Sequence, residues 1–318
     1  MTLNLLPACA EESSKAGERL GGTAVADVDV WLLLEYRGKW DADIATMELP
    51  AATRSWLDAQ AKAIPRSRVL FVRNEHRTEQ LSFFVVTAAP ERAVFRLRTT
   101  TYEELAVLDV AAIVTGGIES AVAQGFERGR PLYLVCTHGK RDACCAKRGV
   151  AFAQALGAEA LDGDVWHSSH QGGHRFAATM LYLPHGVHYG RLELGDVAPL
   201  LAAHSRGHLH DFDRYRGLST LSAVEQVAES WLREELDERR FDAFEKVGLT
   251  PPDAGPRKKQ LSCDFRAEDG VIHRLTVEER RGAMTRRPSC GTEPSTFSYL
   301  EVVRHEAGRD LDAPCATT

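Results

Sequence analysis

Residues 132–156 read LYLVCTHGKRDACCAKRGVAFAQAL, and this stretch decides the fold class. Positions 132–135 are a short apolar run with the length and residue types of a buried strand. The polar segment from 136 to 145 cannot continue it, and the alanine-rich stretch 146–156 has the composition of a helix. Strand, loop and helix in this order open a βαβ unit, which makes the protein α/β. The loop also carries chemistry: Cys136 leaves the strand, while Cys144 and Cys145 enter the helix, whose N-terminus favours thiolates.

Working outward, Val165-Trp166 is followed by a glycine-containing loop, and strands at 178–183 and 187–192 are joined across Pro184-His185-Gly186. Asp196 is placed to cap a helix over 197–203. The order β-α-β-β-α is that of a thioredoxin-like domain, assigned to residues 129–217. Upstream, strands at 28–36, 68–73 and 81–86 alternate with helices at 49–64 and 101–114, giving an α/β N-terminal domain over 1–128. Downstream, 218–244 is mostly a long amphipathic helix and 248–258 a turn-rich linker. Strands at 261–265, 271–278 and 297–304 complete a C-terminal extension, 218–318, of long helix and small β unit. No internal repeat or low-complexity tract is visible.

The 318 residues carry 39 Lys plus Arg against 45 Asp plus Glu, a formal charge of −6. That balance disfavours adhesion to nucleic acid or anionic membrane and points to proteins or small molecules as partners. No run approaches the roughly 18 apolar residues of a membrane span. Leu6-Pro7-Ala8-Cys9 matches only the end of a lipoprotein cleavage site: no positive charge precedes it and the apolar stretch is short, so a cytoplasmic protein is expected. Seven cysteines, at 9, 136, 144, 145, 263, 290 and 315, are odd in number and unevenly spread, unlike a secreted disulfide framework.

The candidate ligands fall into two pairs. Cys136 and Cys145 stand as C-x8-C after one strand; His170 and His174 stand as H-x3-H after the next, around two glycines that let the backbone turn closely. The pairs should meet at one end of a sheet, and four ligands in two pairs suit either Zn²⁺ or a two-iron cluster. His138, Arg141, Asp142 and Arg175 lie inside the motifs but off the ligand pattern. They read either as hydrogen-bonding support and docking contacts or as loop structure, with Asp142 capping the helix and Arg175 paired to it. His204, His208 and His210 form a second cluster, the first two at the helical i, i+4 spacing of a zinc site, but no cysteine or acidic motif joins them, and they read as an ordinary helix end. Cys9, Cys263, Cys290 and Cys315 read as free thiols.

The pattern C-x8-C-A-x-x-G, a four-residue ligand pair and L-Y-L-P-x-G-x-x-Y-G-R resembles the thioredoxin-like [2Fe-2S] ferredoxins. Their second pair is C-x3-C with the hairpin proline ten residues on, a separation that His174 and Pro184 keep. CTHGKRDACC, SHQGGHRFA, LPHGVHYGRL and DRYRGLS, with GGTA at 21–24 and WLLLEYRGKW at 31–40, resemble the sucrase/ferredoxin-like family over most of residues 9–240. The resemblance implies a [2Fe-2S] cluster on Cys136, Cys145, His170 and His174, with Cys144 a spectator. It also implies single-electron transfer with a protein reductase or acceptor. Imidazole ligands can further couple reduction to protonation.

Sucrose cleavage is not expected, because no motif nominates two carboxyl groups facing each other across a sugar. The alternative reading is a thioredoxin-like zinc-binding or protein-interaction module. A thiol oxidoreductase using Cys136, Cys144 or Cys145 would lack the C-x-x-C motif.

Overall fold

The computed structural model describes residues 8–75, 78–160, 164–250 and 260–309. In chain order the first half contains α1 (Cys9–Lys15), β1 (Val30–Glu35), α2 (Ala51–Ala63), β2 (Ser67–Arg73), β3 (Leu81–Thr87), β4 (Ala93–Thr99), α3 (Val110–Ala123) and β5 (Glu127–Arg128). The second contains β6 (Leu132–Cys136), α4 (Ala143–Glu159), β7 (Asp164–Ser168), β8 (Met180–Leu183), β9 (Val187–Tyr189), α5 (Val197–His204), β10 (Tyr215–Leu218) and α6 (Ala223–Leu236). Strands β11 (Phe244–Thr250), β12 (Gln260–Ala267), β13 (Ile272–Arg286) and β14 (Ser295–Gly308) follow. The protein is α/β, and none of its described helices is long and apolar enough to cross a membrane.

Ten strands form one sheet in the order β10-β9-β8-β6-β7-β2-β1-β3-β4-β5. Strand β6 runs parallel to β7 across α4 and antiparallel to β8, which forms a hairpin with β9 before α5. This is the β-α-β-β-α order read from the sequence. The upstream half repeats it: β1 is parallel to β2 across α2 and antiparallel to β3, and the β3–β4 hairpin precedes α3. The halves join edge to edge where β2 and β7 pair antiparallel, Val72 opposite Ser168 and Arg73 opposite His167.

The sheet curls back on itself. Phe84 of β3 lies 5.2 Å from Trp166 of β7, ring centre to ring centre, although β2 and β1 stand between them; on a flat sheet three strand spacings would hold them about 14 Å apart. The halves therefore share an inner face of Trp31, Leu33, Phe84, Leu134, Trp166 and Leu181. Alternate residues face outward: Leu32 and Leu34 pack under Trp56, Leu57 and Ile113, and Tyr133 and Val135 under Phe152 and Leu156. Burial on both faces is why these strands read as unbroken apolar runs.

The C-terminal extension differs from expectation in its details. Helix α6 covers only the middle of 218–244: a Ser222–Glu225 capping box starts it, and Asp237, at φ 45°, ends it. Phe244 then opens β11, unforeseen in the sequence, in an antiparallel sheet ordered β11-β12-β13-β14. Ala228 and Leu232 of α6 pack on Phe265, Leu275 and Val277 of this sheet. Upstream, the helix expected from 101 begins at Val110, because Asp109 accepts the backbone N–H of Ala112 at 3.0 Å and so fixes its start. Most of the linker 248–258, and Cys315, lie outside the described residues.

Candidate metal centre

Cys136 ends the central strand β6, held there by its backbone N–H donating to Thr179 O at 3.0 Å. Cys145 lies in the first turn of α4, which Asp142 caps by accepting the backbone N–H of Cys144 at 2.9 Å. Helix and strand approach closely at Gly149, where a Cβ would lie 2.1 Å from the carbonyl oxygen of Cys136. Both thiols are buried and unbridged. Hydrogen bonding from Cys145 and His170 outweighs burial and lowers the Cys136 pKa, while that same Cys136 hydrogen bond and burial raise that of Cys145.

The histidine loop follows β7. Ser169 ties it to β2, donating its N–H to Phe71 O at 2.7 Å and accepting the N–H of Phe71 on Oγ at 3.0 Å. Gln171 anchors it to β6 through Leu134 O at 2.7 Å. Gly172 and Gly173 then take φ values of 84° and 72°, which turns His174 back towards His170. Cys136, Cys145 and His170 each bring a ligand atom within 4.8 Å of the others. His174 lies just beyond, its Nδ1 3.5 Å from His170 Nε2. Its Nε2 donates to Pro288 O at 2.7 Å, which leaves the Nδ1 lone pair for a metal. Burial lowers the His174 pKa and so favours the neutral, ligating form.

Of the supporting residues, His138 is the best defined. Its Nε2 donates to Asp41 O at 2.6 Å and its Nδ1 accepts the His170 N–H at 3.1 Å, so neither nitrogen is left for a metal. Arg141 is solvent-exposed, and its backbone N–H donates to His138 O. The pairing of Arg175 with Asp142 is corrected: Arg175 donates to Glu18 Oε1 at 2.9 Å, because the loop turn carries it towards the segment after α1. Arg216, within DRYRGLS, has no signal in the sequence that marks it for the site; it is a buried cation that donates to Gly172 O at 3.2 Å and props the loop.

Cys136, Cys145 and His170, at the ends of β6 and β7 and the start of α4, could hold a metal ion, and His174 stands next to them. A family model described as sucrase/ferredoxin-like matches residues 22–217. The chain belongs to the sucrase/ferredoxin-like family. No curated protein and no solved structure matches it. All four candidate ligands lie within the part that matches the sucrase/ferredoxin-like model.

A second thiol group stands beside the first in this sucrase/ferredoxin-like chain. The Cys144 sulfur lies 3.7 Å from that of Cys9 and 3.4 Å from that of Cys290, and Cys290 lies 3.5 Å from Cys9. Asp142 faces the triangle, its carboxylate 3.7 Å from the Cys9 sulfur. Burial pushes the Asp142 pKa up, but the backbone N–H groups of Cys290 and Cys144 outweigh it and hold the value at about 2. Cys9 and Cys290, read separately as free thiols, are neighbours; nothing in their spacing marks this, since they are 281 residues apart. Cys263 stays apart, buried under α6. In the histidine cluster, His204 is a buried helix end whose Nε2 accepts the Tyr189 hydroxyl at 2.9 Å, and His210 Nε2 meets Asp196 at 3.1 Å.

Proposed function

We propose that this chain is an electron-transfer protein that holds a [2Fe-2S] cluster between Cys136, Cys145, His170 and His174, and exchanges single electrons with a protein reductase or acceptor. The observation that carries the reading is a pair of buried, unbridged thiols facing His170, with His174 beside it; His138 holds the His170 backbone N–H, and the His174 carbonyl accepts the Ala177 N–H. Such a cluster supplies a one-electron couple whose potential rises when neutral imidazoles replace thiolates.

The protein's own part is to hold these donors still and dry. Asp142 and Gly149 seat the cysteine pair, His138 fixes the His170 backbone, and Gln171 and Arg216 hold the loop. His174 is partly exposed, which gives a short path to a docked redox partner. Its Nε2, hydrogen-bonded to Pro288 O, is the natural place for a proton to be gained on reduction and lost on oxidation.

The test is an iron and acid-labile sulfide assay on anaerobically purified protein, with absorption and EPR spectra. About two of each per chain is expected. Stoichiometric zinc on these four residues, with no visible absorption in protein grown with ample iron, would overturn the reading.

A further inference from the structure

We propose that Cys9, Cys144 and Cys290, with a carboxylate oxygen of Asp142, form a second metal site. It would take Zn²⁺ and staple α1 and the tip of the β13–β14 hairpin to the first turn of α4.

The geometry is that of one tetrahedral ion. With zinc–sulfur bonds of about 2.3 Å, the sulfurs of a tetrahedral site lie about 3.8 Å apart, and here they stand 3.7, 3.4 and 3.5 Å apart. Small outward shifts would seat the ion. A two-iron cluster needs two separated ligand pairs, which a triangle this tight does not offer. Three sulfurs and a carboxylate also suit zinc better than copper(I), which selects soft sulfur donors. A disulfide between any two thiols would strand the third.

The carboxylate is prepared for the role. Asp142 accepts the backbone N–H of Cys144 on Oδ1 at 2.9 Å and, on Oδ2, the backbone N–H of Cys290 at 3.0 Å and the Ser289 hydroxyl at 2.9 Å. Those bonds fix its orientation, as outer contacts do for metal ligands. Adjacent helical residues point about 100° apart, so Cys144 serves this triangle while Cys145 serves the cysteine–histidine group. Cys9 and Cys290 both lie outside the residues that match the family model.

The site has work to do. Helix α1 has 7 residues, too few to be stable alone, and the hairpin tip at 287–294 is mostly exposed, with little apolar surface to hold it. Yet the tip supplies Pro288 O to His174. A metal joining the tip to α4 converts binding energy into the folding energy that apolar contacts do not provide.

The experiment measures zinc and iron together in full-length protein expressed with both metals supplied. One zinc per chain is expected. Cys9→Ser and Cys290→Ser should each weaken zinc binding about tenfold or more, with iron and sulfide retained and an unchanged far-ultraviolet circular dichroism spectrum. Cys290→His, which restores a ligand, should recover zinc, and Cys136→Ala should lose iron but keep zinc. The proposal is overturned if wild-type protein binds no added Zn²⁺, if zinc follows Cys136 and not Cys9 and Cys290, or if mass spectrometry finds a disulfide within the triangle. Zinc that follows Cys9 and Cys290 in protein without iron would uphold this site while removing the electron-transfer reading.

Discussion

His138 and His174 both meet His170, but they differ in what their nitrogens do. His138 uses both, one on Asp41 O and one on the His170 N–H, whereas His174 uses only Nε2, on Pro288 O, and keeps Nδ1 towards His170. Replacing His170 or His174 by Cys should therefore preserve a cluster but lower its potential, by up to a few hundred millivolts, because a thiolate adds a negative ligand where imidazole is neutral. Any pH dependence of the potential should weaken as the titratable ring is lost. Protein-film voltammetry from pH 6 to 10 reads both effects, and an unchanged potential in both variants would remove the histidines from the ligand set. Cys136→Ala and Cys145→Ala should abolish iron binding, while Cys144→Ala should leave iron largely intact. Iron and sulfide assays distinguish these, and an essential Cys144 beside a dispensable Cys145 would reverse the register.

At the scale of the element, the site depends on how closely α4 lies on β6. Gly149 makes that approach, since its Cβ would meet Cys136 O at 2.1 Å, whereas one at Gly157, in the same helix, would find nothing nearer than Val165 at 4.0 Å. Gly149→Ala should cost about 1–3 kcal/mol by overpacking and reduce iron content, because the strain falls on the backbone that presents Cys136. Gly157→Ala should be neutral or stabilising by about 0.5–1 kcal/mol, as alanine replaces glycine inside a helix. Urea denaturation with parallel iron assays tests the pair; equal effects at both positions would show that the approach does not matter. The β13–β14 hairpin is the other element that reaches the site. Replacing residues 287–294 by a short turn removes the Pro288 carbonyl from His174 and should speed loss of iron to a chelator.

On the scale of the whole molecule, burial of histidine sets the acid limit. His204, packed beside Tyr133, Tyr182 and Phe241, has its pKa lowered by burial from 6.5 to about 3. His188, fully buried between the halves beside Trp31, is also lowered by burial and by the nearby arginines. An unfolded chain takes up these protons near pH 6.5 while the folded chain refuses them, so stability is full above pH 6.5 and falls as the pH drops towards 3. The slope should be about 1.4 kcal/mol per pH unit for each such histidine. His204→Leu should flatten it by one proton's share without changing iron content. Denaturation at pH 7 and pH 5 measures this, and identical slopes in the variant and wild type would contradict it.

Local pattern was enough to find the strand, loop and helix over 132–156, the β-α-β-β-α order after it, and the cysteine and histidine pairs that the fold brings close together. Apolar runs, capping residues and turn glycines act on residues close in sequence, and each of these pairs sits within one such segment. What the pattern could not address is which strand edges and faces meet. The antiparallel joint of β2 and β7, the curl that brings Phe84 onto Trp166 and the repeated topology of the two halves all depend on long-range pairing. An apolar strand carries no address for its partner. The same reason hid the thiol triangle, whose members are separated by 135 and 146 residues, and sent Arg175 to Glu18 and not to Asp142 of the cysteine loop. The sequence alone determined the strand, loop and helix around the site and the cysteine and histidine pairs they carry; tertiary packing decided that a hairpin from the far end of the chain would bring Pro288 and Cys290 to them, because only a folded sheet brings distant residues together.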